Sequence, residues 1–205
     1  MRSFILIDPA LSKVYFRLAN FSGTLNAELS PTSNLNFWSD LNNLISNNNC
    51  IVRDIHFFLN FGPGSYTGLK QSKILAEVFS RAGASVSIFK QDDILKVFKF
   101  KMQYFYSSAY KNQFYFSYID FNGKIVSELK DAISWSNWVA NNQDKLGQVI
   151  TVDEKFSFQG ACPLITSFYK EICFEELLDI TCVYNNQEIY YYRAISDDYQ
   201  ISFHD

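Results

Sequence analysis

The spacing of apolar and polar positions changes period along the chain. Apolar runs at 3–7 and 14–18 are short and separated by Asp8-Pro9-Ala10-Leu11-Ser12-Lys13, and a third at 23–29 sets Leu25, Ala27 and Leu29 on one face. Period two belongs to a strand, so the chain opens on three strands with short turns, an antiparallel meander. The period then lengthens. Leu35, Trp38, Leu41, Leu44 and Ile45 recur at helical spacing behind Thr32, Ser33 and Asn34, residue types that cap helix starts, and Asn47-Asn48-Asn49 ends the run. An apolar strand follows at 55–60, then a helix at 69–81 stopped by Gly83, a strand at 85–89 and a short helix at 92–98. In the longer helix Leu75, Val78, Phe79 and Ala82 make an i, i+3, i+4, i+7 stripe expected to face the core, with Ile74 off its centre beside Val78 and Arg81.

Beyond residue 100 the pattern predicts strands at 104–110, 114–119 and 125–129, with Asn122-Gly123 as the hairpin turn between the last two. A helix at 134–139 carries Trp135 and Trp138, and a strand at 149–152 and a helix at 174–178 complete the reading. No repeat, low-complexity tract or linker interrupts the chain. The expected division is an N-terminal lobe at 1–99 and a smaller C-terminal lobe at 100–205.

The segment Asn60-Phe61-Gly62-Pro63-Gly64-Ser65-Tyr66-Thr67-Gly68-Leu69-Lys70 joins a strand to a helix. Such a turn leaves backbone N–H groups at a helix start, which suits an anion. Three catalytic templates nevertheless fail here. A P-loop puts four residues between its glycines and then a lysine; here five separate Gly62 from Gly68, and Leu69 stands at the lysine position. The dinucleotide fingerprint needs a third glycine where Thr67 sits. A nucleophile elbow around Ser65 needs glycines where Pro63 and Thr67 stand.

Another pattern fits. Gly62-Pro63-Gly64-Ser65-Tyr66-Thr67-Gly68-Leu69-Lys70 resembles the G-P-G-S-F-T-G-L-R signature of the TsaB (YeaZ) family, with Tyr66 for Phe and Lys70 for Arg as the two exchanges. Phe4-Ile5-Leu6-Ile7-Asp8 resembles that family's opening strand, 109–115 its D-A-R-x-x-E-V-Y hairpin, and Tyr191-Tyr192-Arg193 its C-terminal Y-L-R. The chain departs from the family at the first helix entry, where Leu29-Ser30-Pro31-Thr32-Ser33-Asn34-Leu35 replaces R-x-H-S-E-x-L, and at Ala109-Tyr110-Lys111 in place of Asp-Ala-Arg. The order β-β-β-α-β-α-β is that of one actin-like (ribonuclease-H-like) half, so an actin-like α/β fold of two lobes is expected. The resemblance implies a non-catalytic partner of TsaD in tRNA threonylcarbamoyladenosine synthesis, with TsaE as third component, a homodimer when alone, tRNA touched only indirectly and no cofactor. It implies contacts through the first two helices, at Trp38, Leu41, Ile45, Ile74, Val78 and Arg81. Whether each apolar one is contact or core stays open.

Composition narrows the remaining chemistry. Phe 20 and Tyr 13 make burial lean on rings, and a net charge of −3 argues against broad nucleic-acid binding by the chain alone. Cys50, Cys162, Cys173 and Cys182 are too irregularly spaced for a metal knuckle and fit a reducing compartment. No run reaches membrane-spanning length and 4–7 is short for a signal core, so the cytoplasm is the expected location. Asp8 sits where this fold class places a phosphate turn, but Pro9 has no N–H and Ala10 no hydroxyl, which weakens the alternative of an ATP- or phosphate-binding enzyme. Ser65 as a peptidase nucleophile has only His56 and His204 as candidate bases. The pairs Asp92-Asp93, Glu175-Glu176 and Asp197-Asp198 read as caps or solvated charges, because adjacent residues point about 100° apart on a helix. Lys99, Lys101, Lys111 and Lys124 alternate with Phe98, Phe100, Tyr104 and Tyr110, a pattern shared by nucleic-acid sheets and by half-exposed edge strands.

Overall fold

The computed structural model describes residues 3–11, 14–20, 23–29, 36–63, 66–109, 113–152 and 162–184. In chain order these form β1 (Ser3–Asp8), β2 (Val14–Asn20), β3 (Gly23–Leu29), α1 (Asn36–Asn47), β4 (Ile55–Asn60), α2 (Tyr66–Arg81), β5 (Ser85–Phe89) and α3 (Ile94–Val97). The second part gives β6 (Tyr104–Ser108), β7 (Gln113–Ile119), β8 (Ile125–Asp131), α4 (Ala132–Asn141), β9 (Val149–Thr151), α5 (Ile165–Glu171), α6 (Phe174–Ile180) and β10 (Cys182–Val183). Two mixed sheets result, in the orders β10-β5-β4-β1-β2-β3 and β8-β7-β6-β9. The expected meander is there: β1, β2 and β3 are antiparallel, while β4 and β5 add in parallel on the other side of β1.

The first sheet is covered on both faces, which is why β4, apolar at Ile55, Phe57, Phe58 and Leu59, is buried throughout. Ile5, Ile7, Phe16, Phe57 and Leu59 point to the face covered by α1 and α2. Leu6, Tyr15 and Phe58 point to the face covered by α3, α5 and α6, where Phe105 and Ile150 of the second sheet join the same core. The two sheets are therefore packed together. On its other side the second sheet stacks Tyr106 and Phe116 against Trp135 and Trp138 of α4. Asp131 caps that helix by accepting the Ser134 N–H at 2.7 Å.

Three features differ from the sequence reading. Helix α2 begins at Tyr66, and its buried line is Leu69, Ser72, Leu75, Ala76 and Phe79; Val78 and Ala82 lie on the surface instead. Small Ala76 lets the helix approach the sheet, and Phe79 then stacks on Phe57 with ring centroids 3.8 Å apart, which turns Val78 outward. Helix α5 and strand β10 were not legible, and they carry the chain back: residues Ile165 to Val183 serve the first sheet although the sheets part between Val97 and Tyr104. Asp92 is neither cap nor solvated, being buried at 4 % exposure. Several expectations lie outside the described residues: Thr32, Ser33, Asn34, Leu35, Gly64, Ser65, Tyr110, Lys111, Asn112, Tyr191, Tyr192, Arg193, Asp197, Asp198 and His204.

Candidate functional site: the glycine turn and the helix face beside it

Parallel pairing of β1, β4 and β5 brings three polar strand ends together: Asp8 after Ile7, Asn60 after Leu59, and Gln91 two residues past Phe89. Asp8 is fully buried, and four donors converge on its carboxylate. Oδ1 accepts the Ala10 N–H at 3.0 Å and Asn60 Nδ2 at 2.8 Å. Oδ2 accepts Gln91 Nε2 at 2.8 Å and the Tyr169 hydroxyl, from α5, at 2.7 Å. A carboxylate offers about four acceptor sites, so this one is saturated by the protein itself. Burial holds its pKa above the ordinary carboxylate value against the pull of the donors, and burial followed by the Asp8 charge pushes the Tyr169 phenol well up.

The glycine turn is fastened to the same cluster. Asn60 Oδ1 accepts the Gly62 N–H at 2.9 Å, and the Gly62 carbonyl accepts the Gln91 N–H at 2.6 Å. Gly62 sits at φ +135°, a conformation that side chains rarely adopt. Pro63 is buried, Thr67 is exposed and Gly68 is buried. At Gly68 the reason for glycine is contact: a Cβ there would meet Ala10 Cα at 2.6 Å, Pro9 O at 2.7 Å and Ala10 N at 3.0 Å. The first turn of α2 therefore rests on the turn after β1. What faces the helix start at this contact is the Pro9 carbonyl, an acceptor, which suits an anion badly.

His56 is buried on β4 with Nε2 2.8 Å from Ser87 Oγ, so it is engaged away from the turn. Asp92 accepts the Ser117 and Ser127 hydroxyls on Oδ2, each at 2.8 Å, tying the segment after β5 to the face of the second sheet. A shallow notch, with room for about one water molecule, lies there between Pro63, Lys90, Asp92, Tyr115, Ser117 and Ser127. Asp93 accepts the Lys90 N–H and pairs with Lys96 at 2.9 Å. Glu175 accepts the Cys173 thiol in the exposed first turn of α6. Among the described residues no three His, Cys, Asp or Glu side chains stand close enough to hold a metal, and no helix is long and apolar enough to cross a membrane.

On the outer side of α1 and α2 lies a second candidate surface. Trp38, Ile74 and Val78 are 42 %, 54 % and 42 % exposed, and Arg81 is exposed at the end of α2. Trp38 bridges the helices, edge-on to Phe79 at 6.4 Å between centroids. Leu41 and Ile45, expected among the contacts, are 2 % and 5 % exposed and belong to the core, because α1 turns that line toward Phe16 and Phe57. They leave the candidate surface.

No protein-family model matches the chain, and no curated protein matches it. Solved structures do. YeaZ from Pseudomonas aeruginosa superposes with a TM-score of 0.51 over 63 % of this chain and 66 % of that one, at 10 % identity. An uncharacterized protein with similarity to peptidase YeaZ from Pseudomonas aeruginosa gives 0.58 over 89 % and 95 %, at 11 % identity. The chain has the YeaZ fold. That fold is of the actin-like type, so the expected fold class stands. Within it, sequence reasoning found Asp8 and the glycine turn but missed Gln91 and Tyr169. Neither carries a local signal; they reach Asp8 from 83 and 161 residues away.

Proposed function

We propose that this chain is a TsaB-type subunit: a non-catalytic, cytoplasmic partner of TsaD in the synthesis of threonylcarbamoyladenosine on tRNA, with TsaE as third component. The observation that carries this reading is the exposed Trp38, Ile74 and Val78 on two adjoining helices of a YeaZ fold. Large apolar groups held at the surface in a cluster mark an interaction site. The saturated Asp8 cluster supports the non-catalytic part, because a phosphate or metal there would have to displace donors the protein already supplies. Interface burial on the partner's side would favour the active conformation of TsaD over others. In the absence of TsaD the same face would pair two copies of the chain.

Co-expression with TsaD tests it. The expected result is a complex that survives gel filtration at micromolar concentration and is lost in the Ile74→Asp, Val78→Asp double variant. Trp38→Ala should weaken it by about thirtyfold, the effect of a hot-spot residue near 2 kcal/mol. A monomeric chain that ignores TsaD at that concentration overturns the proposal.

A further inference from the structure

Two phenylalanines stand almost free in solvent: Phe100 at 92 % exposure and Phe121 at 96 %. Phenylalanine is among the residues most often buried, and one left out forgoes favourable burial. They share one end of the second sheet. Strand β6 begins at Tyr104 opposite Tyr118 of β7, and β7 ends at Ile119 opposite Ile125 of β8. The loop before β6 and the turn after β7 therefore flank adjacent strand ends, about 5 Å apart. Beneath them Phe98, Met102, Ile119 and Ile125 pack on one buried cluster, which fixes both segments to the same base.

Charge accompanies the rings. Lys99, Lys101 and Lys124 are exposed in the same two segments, and Lys99 Nζ lies 5.3 Å from the Phe100 ring centroid. Asp120 in the same turn keeps its charge while accepting the Asn122 and Lys124 N–H groups at 2.9 Å each, so residues 99–103 and 120–124 carry three lysines against one acid. This end of the molecule is locally basic on a chain of net charge −3.

We propose that this end of the second sheet binds single-stranded nucleic acid. The bases would stack on Phe100 and Phe121, and Lys99, Lys101 and Lys124 would face the phosphates. Exposed rings beside lysines are the two components of such sites, since every base has a face to stack and every phosphate a charge to neutralise. Duplex is a poor fit, because its bases are already stacked on each other. The proposal does not depend on the TsaB-type reading, which rests on α1 and α2 of the other sheet.

The test is fluorescence anisotropy of labelled oligouridylate and oligothymidylate of about ten nucleotides against the whole chain, a length within the usual site sizes. Binding to the ribo- and deoxyribo-oligomer separates RNA from DNA as the source. Phe100→Ala and Phe121→Ala, both on the surface and so without effect on the fold, should each weaken binding about tenfold or more. Raising salt from 50 to 200 mM should weaken the wild type about eighteenfold, from three phosphate contacts, and the Lys99→Gln, Lys101→Gln, Lys124→Gln variant much less. No binding at 50 mM salt, or binding that both Phe→Ala variants retain, overturns the proposal. So does binding to anionic vesicles that needs the rings while the oligonucleotides show none.

Discussion

Gly68→Ala probes whether the glycine turn is sealed against the strand-one turn. The new methyl would sit 2.6 Å from Ala10 Cα, 2.7 Å from Pro9 O and 3.0 Å from Ala10 N. All three are backbone atoms, so no side chain can rotate out of the way. Either α2 shifts outward or the turn after β1 moves, and that turn is held through the four bonds to Asp8. Overpacking of this kind costs about 1–3 kcal/mol, and contact with backbone points to the upper end. Alanine at a helical position returns about 1 kcal/mol over glycine. The net expectation is a loss of about 2 kcal/mol, or roughly 4–8 °C in melting temperature for a chain of this size. Urea unfolding followed by circular dichroism measures it, with Ser80→Ala on the exposed side of α2 as the control that should be neutral or slightly stabilising. If Gly68→Ala instead stabilises by about 1 kcal/mol, helix propensity alone is acting. The turn and the helix would then not touch, the space beside Asp8 would be open to phosphate, and the argument for a closed site would fail.

Four further outcomes follow from the same geometry. Tyr169→Phe removes one donor from buried Asp8 and should cost about 1–3 kcal/mol in the same unfolding assay, without changing any partner affinity. Leu41→Ala should destabilise by about 2–5 kcal/mol because its side chain is in the core, whereas Val78→Ala should stay within about 0.5 kcal/mol and act on partner binding instead. Asp92 has its pKa held above the ordinary 3.8 by burial first, with Asp93 adding to it and Ser127, Ser117 and Lys90 opposing. The native state thus binds the proton more tightly than the unfolded chain, so its contribution is full below 3.8 and is lost as pH rises through the raised native value; Asp92→Asn should flatten the fall in stability that sets in as pH rises above about 4. Millimolar ADP or ATP should leave the melting temperature of the isolated chain unchanged, and a rise of several degrees would reinstate a nucleotide site.

The parts of the fold that were legible are those whose signal is local. Short apolar runs at 3–7 and 14–18 and the alternation at 23–29 gave the meander, because β1 and β2 are buried along most of their length and β3 completes the sheet at its edge. Helix α5 was not, because Ile165-Thr166-Ser167-Phe168-Tyr169-Lys170-Glu171 is two turns of β-branched and aromatic residues with no capping side chain at Leu164. Its helicity comes from packing Ile165, Phe168 and Tyr169 on the first sheet. Periodicity also names a helix face without giving its width. Trp38, Leu41 and Ile45 share one stripe, yet the last two are buried in the core that holds Phe16 and Phe57 while Trp38 stays at the rim.

The candidate site shows the same division between near and far. The glycine turn was readable as a turn, and the missing N–H of Pro9 already counted against phosphate. Closure of the site is set by long-range strand pairing. In this arrangement of strands the ends of β1, β4 and β5 meet at one point, and the polar groups placed there must be satisfied by something. Asn60, Gln91 and Tyr169 all turn inward to Asp8 rather than toward an opening, and Asn60 and Gln91 also hold Gly62. A ligand entering here would have to replace several buried hydrogen bonds, each costing about 1–3 kcal/mol when left unmade. Rigid attachment has a consequence for the other side of α2. A helix whose first turn is pinned to Ala10 and whose Phe79 stacks on Phe57 cannot roll, so Ile74 and Val78 are held outward at a fixed angle beside Trp38. The backbone contact of Gly68 with Pro9 and Ala10, which closes the phosphate end, thus also helps preorganise the exposed face, and preorganisation lowers the cost of binding a partner there.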